Sequence, residues 1–198
     1  ERVAYEPWRV HCYVVGQPNE KQCLVIDPGA EAAALQELLQ RYQWRVSGIL
    51  VTHGHPDHVG AVGPLQRVTG SPVYVHAADA AALKEVPASA LRLVEDLEEL
   101  ELGPFVVRAL HIPGHTAGSL AYLLGAAVFT GDILFAGSIG RANLGPSSYR
   151  EFLDGISQKL LELPGDTRVF PGHGPATTVA AERAHNPFFG FGAENNGD

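Results

Sequence analysis

The sequence predicts a single mixed α/β (α+β) domain over residues 1–198, with helices layered on sheet. Three observations carry that prediction. Short β-branched and apolar runs alternate with segments of helical spacing along the whole length. A composition of 45% hydrophobic and 18% charged residues over 198 positions is globular, and large enough to bury roughly 70% of the unfolded surface. No internal repeat, linker or low-complexity stretch divides the chain.

The elements follow in order. Residues 10–15 and 22–27 read as strands joined by turn residues over 16–20, and Asp27-Pro28-Gly29 closes the second. Ala33, Ala34, Leu35, Leu38, Leu39 and Tyr42 fall at helical spacing, which predicts a helix over 30–42. The apolar run 46–51 reads as a buried strand that stops at Thr52-His53. A helix is predicted over 59–68, ended by Gly70, and a strand over 72–76. Residues 78–102 are acidic and poorly periodic, so they read as a solvated face without function. Strands return at 105–110, 119–124 and 127–130. A helix over 148–163 carries Phe152, Leu153, Ile156, Leu160, Leu161 and Leu163, with Ser147 or Ser148 as its N-cap. A strand at 168–170 and a short helix over 177–185 complete the pattern.

Composition excludes several classes of function. A net charge of -8 argues against nucleic acid or an anionic membrane surface as the main partner. No run of about 18 apolar residues and no basic-then-apolar opening segment occurs, so a cytoplasmic location is expected. Cys12 and Cys23 lie on neighbouring predicted strands where a bridge is geometrically possible; two buried free thiols are the better reading. No G-x-S-x-G, Walker A or strand-linked G-x-G-x-x-G motif is present.

The chemistry concentrates in Thr52-His53-Gly54-His55-Pro56-Asp57-His58, immediately after a predicted buried strand. Its H-x-H-x-D-H pattern is expected by chance in such a chain on the order of once in a thousand. Imidazole and carboxylate ligands suit Zn, Fe or Mn. Four donors so close in sequence cannot all turn toward one tetrahedral ion. A split is expected, with His53 and His55 facing one ion and Asp57 and His58 another. His115, Asp132 and His173 each follow a predicted strand and sit beside a glycine, which permits close backbone approach. Together these make five His and two Asp, enough for two ions about 3.5–4 Å apart with Asp132 as the bridge. Asp27, Thr52, Thr116 and Ser119 are candidates to orient the imidazoles. His11, His76, His111 and His185 read as structural or surface histidines. Arg141, close after Asp132, is a candidate anchor for a substrate carboxylate.

His53-x-His55-x-Asp57-His58 followed by His115, Asp132 and His173 resembles the metallo-β-lactamase-fold hydrolases. That resemblance implies a four-layer αββα sandwich with two divalent metals at one edge of its sheets, zinc first, with iron or manganese as alternatives. Thr130-Gly131-Asp132-x-Leu134-Phe135-x-Gly137-Ser138-x-Gly140-Arg141 is similar to the glyoxalase II (hydroxyacylglutathione hydrolase) branch, as is the ending Thr178-Val179-x-x-Glu182-x-x-x-Asn186-Pro187-Phe188. The match is to a short single-domain form, without the C-terminal helical glutathione-binding domain. Arg141 and Asn143 stand where full-length members carry Lys and Tyr, and are the implied substrate-binding positions. The implied activity is hydrolysis of a thioester such as S-lactoylglutathione by a metal-bound hydroxide. Asp57 and Asp132 are then the catalytic carboxylates, and Asp57 accepts the water's proton. The persulfide dioxygenases share much of the motif. Their resemblance implies the alternative, a mononuclear iron enzyme using His53, His115 and Asp132.

Overall fold

A computed structural model describes residues 2–5, 10–142 and 146–189. One six-stranded sheet runs in sequence order through β1 (Arg2–Tyr5), β2 (Val10–Gln17), β3 (Gln22–Ile26), β4 (Arg45–Leu50), β5 (Val73–Val75) and β6 (Leu91–Leu93). The first three strands pair antiparallel, and β3 to β6 pair parallel. The second sheet begins with β7 (Glu99–Leu102), β8 (Phe105–His111), β9 (Leu120–Leu124) and β10 (Ala127–Gly131). A two-residue-per-strand hairpin, β11 (Leu134–Phe135) and β12 (Ser138–Ile139), stands apart from it. β13 (Arg168–Pro171) and β14 (Thr177–Thr178) then extend the order to β7-β8-β9-β10-β13-β14. The helices are α1 (Ala32–Tyr42), α2 (Pro56–Val59), α3 (Val62–Thr69), α4 (Pro146–Lys159) and α5 (Val179–His185).

Alternation along the strands explains the layering. On β3, Cys23 and Val25 face α1 and α3 in one apolar cluster, while Leu24 and Ile26 face the second sheet in another. Phe105, Val107 and Ala109 of β8 close the inter-sheet cluster from the other side. A third cluster packs Val128 and Val169 under Phe152, Ile156 and Leu160 of α4 and Val179 of α5. Three apolar interfaces between four layers are the αββα sandwich that the sequence resemblance implies.

Where the sequence reading and the structure differ, tertiary pairing is the reason. β1 was not expected, nor were β6 and β7 within the acidic segment. β6 and β7 are edge strands whose outward charges keep the sheet rims soluble and hide the strand signal. The helix expected over 59–68 is two helices, α2 and α3, split at Gly60-Ala61, so Asp57 and His58 lie on a helical turn. α4 begins at Pro146, which places Ser147 and Ser148 inside the helix instead of at its cap. Cys12 and Cys23 are buried free thiols in the helix-facing cluster, and burial pushes both thiols well up from their usual range. No helix among the described residues is long and apolar enough to cross a membrane.

Phe152 is fully buried and lies against the backbone of Gly114, one residue before His115. Truncating it to alanine is expected to cost about 3–5 kcal/mol in urea unfolding, with the loop at His115 losing its support.

Candidate metal centre

Every sequence-predicted ligand sits at the end of a strand on the same edge of the two sheets. β4 delivers Thr52 and His53, and the chain then turns through His55 into α2, which presents Asp57 and His58. The turn after β8 carries His115, the end of β10 carries Asp132, and the end of β13 carries His173. Strand ends are the usual place for ligands in such sheets. The fit is close enough to demand glycine. A Cβ on Gly172 would lie 2.5 Å from Asp132 Oδ1 and 2.6 Å from His58 Cε1. Gly131, at φ 49, would overlap the Thr52 hydroxyl if it carried one.

The seven donors fall into two groups joined by one carboxylate. His55 Nδ1 lies 3.1 Å from His53 Nε2 and 3.0 Å from His115 Nε2. Asp57 Oδ2 lies 3.9 Å from His58 Nε2 and 3.4 Å from His173 Nε2. Asp132 faces both groups. Its Oδ1 is 3.4 Å from His58 Nε2 and 3.6 Å from His173 Nε2, and its Oδ2 is 3.6 Å from His115 Nε2. Ligands at 2.0–2.1 Å on a tetrahedral ion stand about 3.3 Å from one another, so these spacings suit metal coordination. The sets His53–His55–His115 and Asp57–His58–His173 each converge closely enough to hold an ion, and so does His53–His58–Asp132, which spans the two.

Outer partners fix which ring nitrogen is free. His58 Nδ1 donates to Asp27 Oδ2 at 2.9 Å, which leaves Nε2 as the nitrogen turned into the site. That Nε2 and Asp132 Oδ1 are buried, 3.4 Å apart, and have no hydrogen-bond partner among the described residues. A proton on Nε2 compensates the carboxylate, and a metal cation in the proton's place would satisfy both atoms. Burial opposes a charge on His58, but Asp27 and Asp132 outweigh it and hold the ring up at about 10. His53 is lowered well below its usual value by burial and by the neighbouring histidines, and His115 is lowered chiefly by burial. Neutral rings are what ligation requires. Burial pushes the Asp132 carboxyl up, yet the surrounding histidines, His58 first, hold it below the usual range.

Asp27 is the pivot of the buried side. It adopts a left-handed backbone (φ 50) that Asp tolerates better than most residues, and it accepts from Thr52 N at 2.7 Å and Thr52 Oγ1 at 2.6 Å. The Thr52 hydroxyl, its proton given to Asp27, lies 3.1 Å from His53 Nδ1 as an acceptor. Thr116 and Ser119, expected to orient an imidazole, are seen in a different set of bonds. They bond each other, and Thr116 Oγ1 donates to Asp79 Oδ2 at 2.7 Å. Asp79 also accepts from Gly54 N at 2.8 Å and Gly118 N at 3.2 Å, so it ties the loop of His53 and His55 to the loop of His115. Sequence reasoning missed Asp79 because it lies in the segment read as a solvated face; its only signal was its place just beyond a strand end.

Arg141 serves the site first through its backbone. Its carbonyl accepts from His115 Nδ1 at 3.0 Å, and its exposed side chain lies at the rim of a cavity of about 710 Å³. Asp57, Asp132, His173, Phe135 and Ile139 also line that cavity. Asn143 lies outside the described residues. His11, His76, His111 and His185 belong to neither ligand set. His11 backs the strand before His173, with Nδ1 3.2 Å from the Pro171 carbonyl, and His76 stacks on His111 at 3.9 Å.

The profile of the Metallo-beta-lactamase superfamily matches residues 5–173. The chain belongs to that superfamily. It is 37% identical over 186 residues to the probable metallo-hydrolase YqgX of Bacillus subtilis, covering 86% of this chain and 88% of that protein. It is 33% identical over 187 residues to the hydroxyacylglutathione hydrolase GloC of Haemophilus influenzae, with the same coverage. Among solved structures, the B3 metallo-beta-lactamase BLEG-1 superposes with a TM-score of 0.84 at 35% identity, over 96% of this chain and 98% of that one. TTHA1623 in a di-iron-bound form gives 0.82 at 36% identity, over 95% and 99%. ETHE1 from Myxococcus xanthus gives 0.83 at 29% identity, over 94% and 82%.

Removing the outer partners is expected to weaken metal binding without unfolding the chain. Asp27→Ala and Asp79→Ala should each lower affinity by about 10–100-fold in chelator competition, acting on the His58 side and the His115 side respectively. In metal-stripped protein at pH 8 the His58 ring, titrating at about 10, carries its proton. Metal loading in weak buffer should therefore release about one proton from this group, and less as the pH is raised past 10.

Proposed function

We propose that the protein is a binuclear metal-dependent hydrolase that cleaves a thioester of the S-lactoylglutathione type. The observation that carries the reading is Asp132, whose Oδ1 faces His58 and His173 while its Oδ2 faces His115. Bound there, two divalent cations would supply Lewis acidity and an activated water at neutral pH. His53, His55, His115 and Asp132 would hold one ion, and Asp57, His58, His173 and Asp132 the other. Zinc is the first expectation, with iron or manganese as alternatives, and the di-iron form of TTHA1623 supports keeping iron among them.

The residues of the cavity support a thioester in particular. Beyond the proposed ligands, Arg141 is the one ionisable side chain lining it among the described residues, and a guanidinium does not give up its proton. Among the described residues the site therefore offers no separate general acid. A thiolate leaving group, whose conjugate thiol has a pKa of about 8.5, needs none, whereas an amide nitrogen does. Asp57, a cavity-lining residue of α2, would take the proton of the attacking water as well as ligate, and its exposure to the cavity supports that reading. Arg141 at the rim would hold a carboxylate of the thioester's carrier, as a glutathione conjugate provides. The likeness to GloC supports this substrate class. A cytoplasmic location, with no nucleic acid or membrane as partner, belongs to the same proposal.

The likeness to ETHE1 favours a second reading, a mononuclear iron persulfide dioxygenase using His53, His115 and Asp132. One experiment separates the two. Protein purified without added metal is analysed for metal content, S-lactoylglutathione hydrolysis and oxygen uptake with glutathione persulfide. About two equivalents of metal with thioester turnover and no oxygen uptake is the expected result. One equivalent of iron with oxygen uptake would overturn it. Asp132→Ala and His115→Ala are expected to lower hydrolysis by more than the ~10–100-fold that losing an outer partner costs.

A further inference from the structure

We propose that Glu182 and Asn186 are positioning residues that clamp the tip of the β11–β12 hairpin and so set the cavity wall at Phe135. The proposal rests on reading the cavity as the substrate site. Both side chains are buried, at 3% and 0% exposure, and lie one helical turn apart, Glu182 within α5 and Asn186 at its C-cap. Glu182 Oε2 accepts from Gly137 N at 2.9 Å and from Asn186 Nδ2 at 2.8 Å, and Oε1 accepts from Thr177 Oγ1 at 2.7 Å. Asn186 Nδ2 also donates to the Ser138 carbonyl at 3.1 Å, and its Oδ1 accepts from Phe188 N at 3.1 Å. The two side chains thus grip both backbone groups at the hairpin turn, one through its N–H and one through its carbonyl.

The chemistry of the clamp is specific. A buried carboxylate is costly unless its oxygens are satisfied, and here three neutral donors satisfy them with no Lys or Arg in the hydrogen-bond set. An apolar side chain would fill the space but could not receive the Gly137 N–H. The hairpin needs the help, because only Leu134–Ile139 and Phe135–Ser138 pair across it. Its base is secured otherwise. Leu134 and Ile139 join the apolar cluster under α4 and α5, Thr130 Oγ1 donates to Leu134 O at 2.8 Å, and Gly140 N donates to Ile133 O at 3.2 Å. Asp132 is held from the sheet side, through Ile133 N to Thr130 O and Gly172 N to Gly131 O. Releasing the clamp therefore frees the tip and Phe135, whose ring faces His173 at 6.4 Å, while the proposed metal ligands stay in place. The separation predicts an effect on substrate binding more than on turnover.

The test compares Glu182→Ala, Glu182→Gln and Thr177→Val by thioester kinetics, metal content and amide hydrogen exchange of residues 133–141. Glu182→Ala is expected to raise KM about tenfold with kcat within about threefold and unchanged metal content. Exchange in 133–141 should speed about tenfold while the sheet strands keep their protection. Glu182→Gln keeps an oxygen for Gly137 and Asn186, with the Thr177 hydroxyl turning to accept, and should restore both readouts. Thr177→Val removes a contact that does not reach the hairpin, and should leave KM and local exchange near wild type. A KM shift in Thr177→Val equal to that of Glu182→Ala, or exchange that rises uniformly, would show a purely structural tie and overturn the proposal. If Glu182→Ala does not fold, Glu182→Gln decides: wild-type KM and protection support the clamp, and loss of both defeats it. Wild-type protein that turns over no thioester would overturn the functional reading alone, and the exchange of 133–141 would still decide the clamp.

Discussion

The arrangement at the sheet edge depends on holding like against like. Lone-pair atoms of five imidazoles and two carboxylates stand within a few ångströms of one another, and two of those atoms, His58 Nε2 and Asp132 Oδ1, are buried without a hydrogen bond. Bare lone pairs of this kind repel unless a proton or a metal cation lies among them. The fold answers the repulsion with rigidity supplied from outside the cluster. Asp27 fixes His58, the Arg141 carbonyl fixes His115, and Thr52 serves both Asp27 and His53.

Those outer partners come from strand ends of the first sheet and from the β11–β12 hairpin, while His115, Asp132 and His173 follow strands of the second, so the site exists only when both sheets are formed and face each other. Asp27 follows β3, Thr52 follows β4, Asp79 follows β5, and Arg141 follows the β11–β12 hairpin. The inter-sheet cluster built from Leu24, Ile26, Leu50, Val107 and Tyr122 is therefore also what keeps the donors in register. Tyr122 makes the link directly, donating its hydroxyl to the Val51 carbonyl at 3.0 Å, one residue before Thr52. Packing and chemistry are not separable here, because the backbone bearing His53 is tied down from the opposite sheet.

The ligand side and the wall side of the cavity differ in how much of them a sequence can disclose. The H-x-H-x-D-H run and the glycine-flanked His115, Asp132 and His173 are legible because ligation and tight turns restrict residue type at each position. Asp79, Thr116 and Ser119 were not legible in their true roles. A carboxylate that accepts from two backbone N–H groups and a threonine looks like any surface acid until the loops meet. Glu182 and Asn186 were visible as part of a recurring ending, but nothing in their spacing told that they reach the turn at Gly137 and Ser138, more than forty positions away.

By itself the sequence determined the mixed helix-and-sheet class and singled out the candidate donors, because periodicity and a dense His–Asp run are local properties; the four-layer order was implied by the family resemblance. It also determined the helix and strand types of the long periodic segments. The short edge strands β1, β6 and β7 came only with the tertiary structure, since their pairing partners, not their composition, make them strands. So did the donor-to-donor distances about Asp132 and the ring nitrogen that His58 and His115 turn to the site. Those depend on distances between residues far apart in the chain, and distance is what a folded backbone supplies.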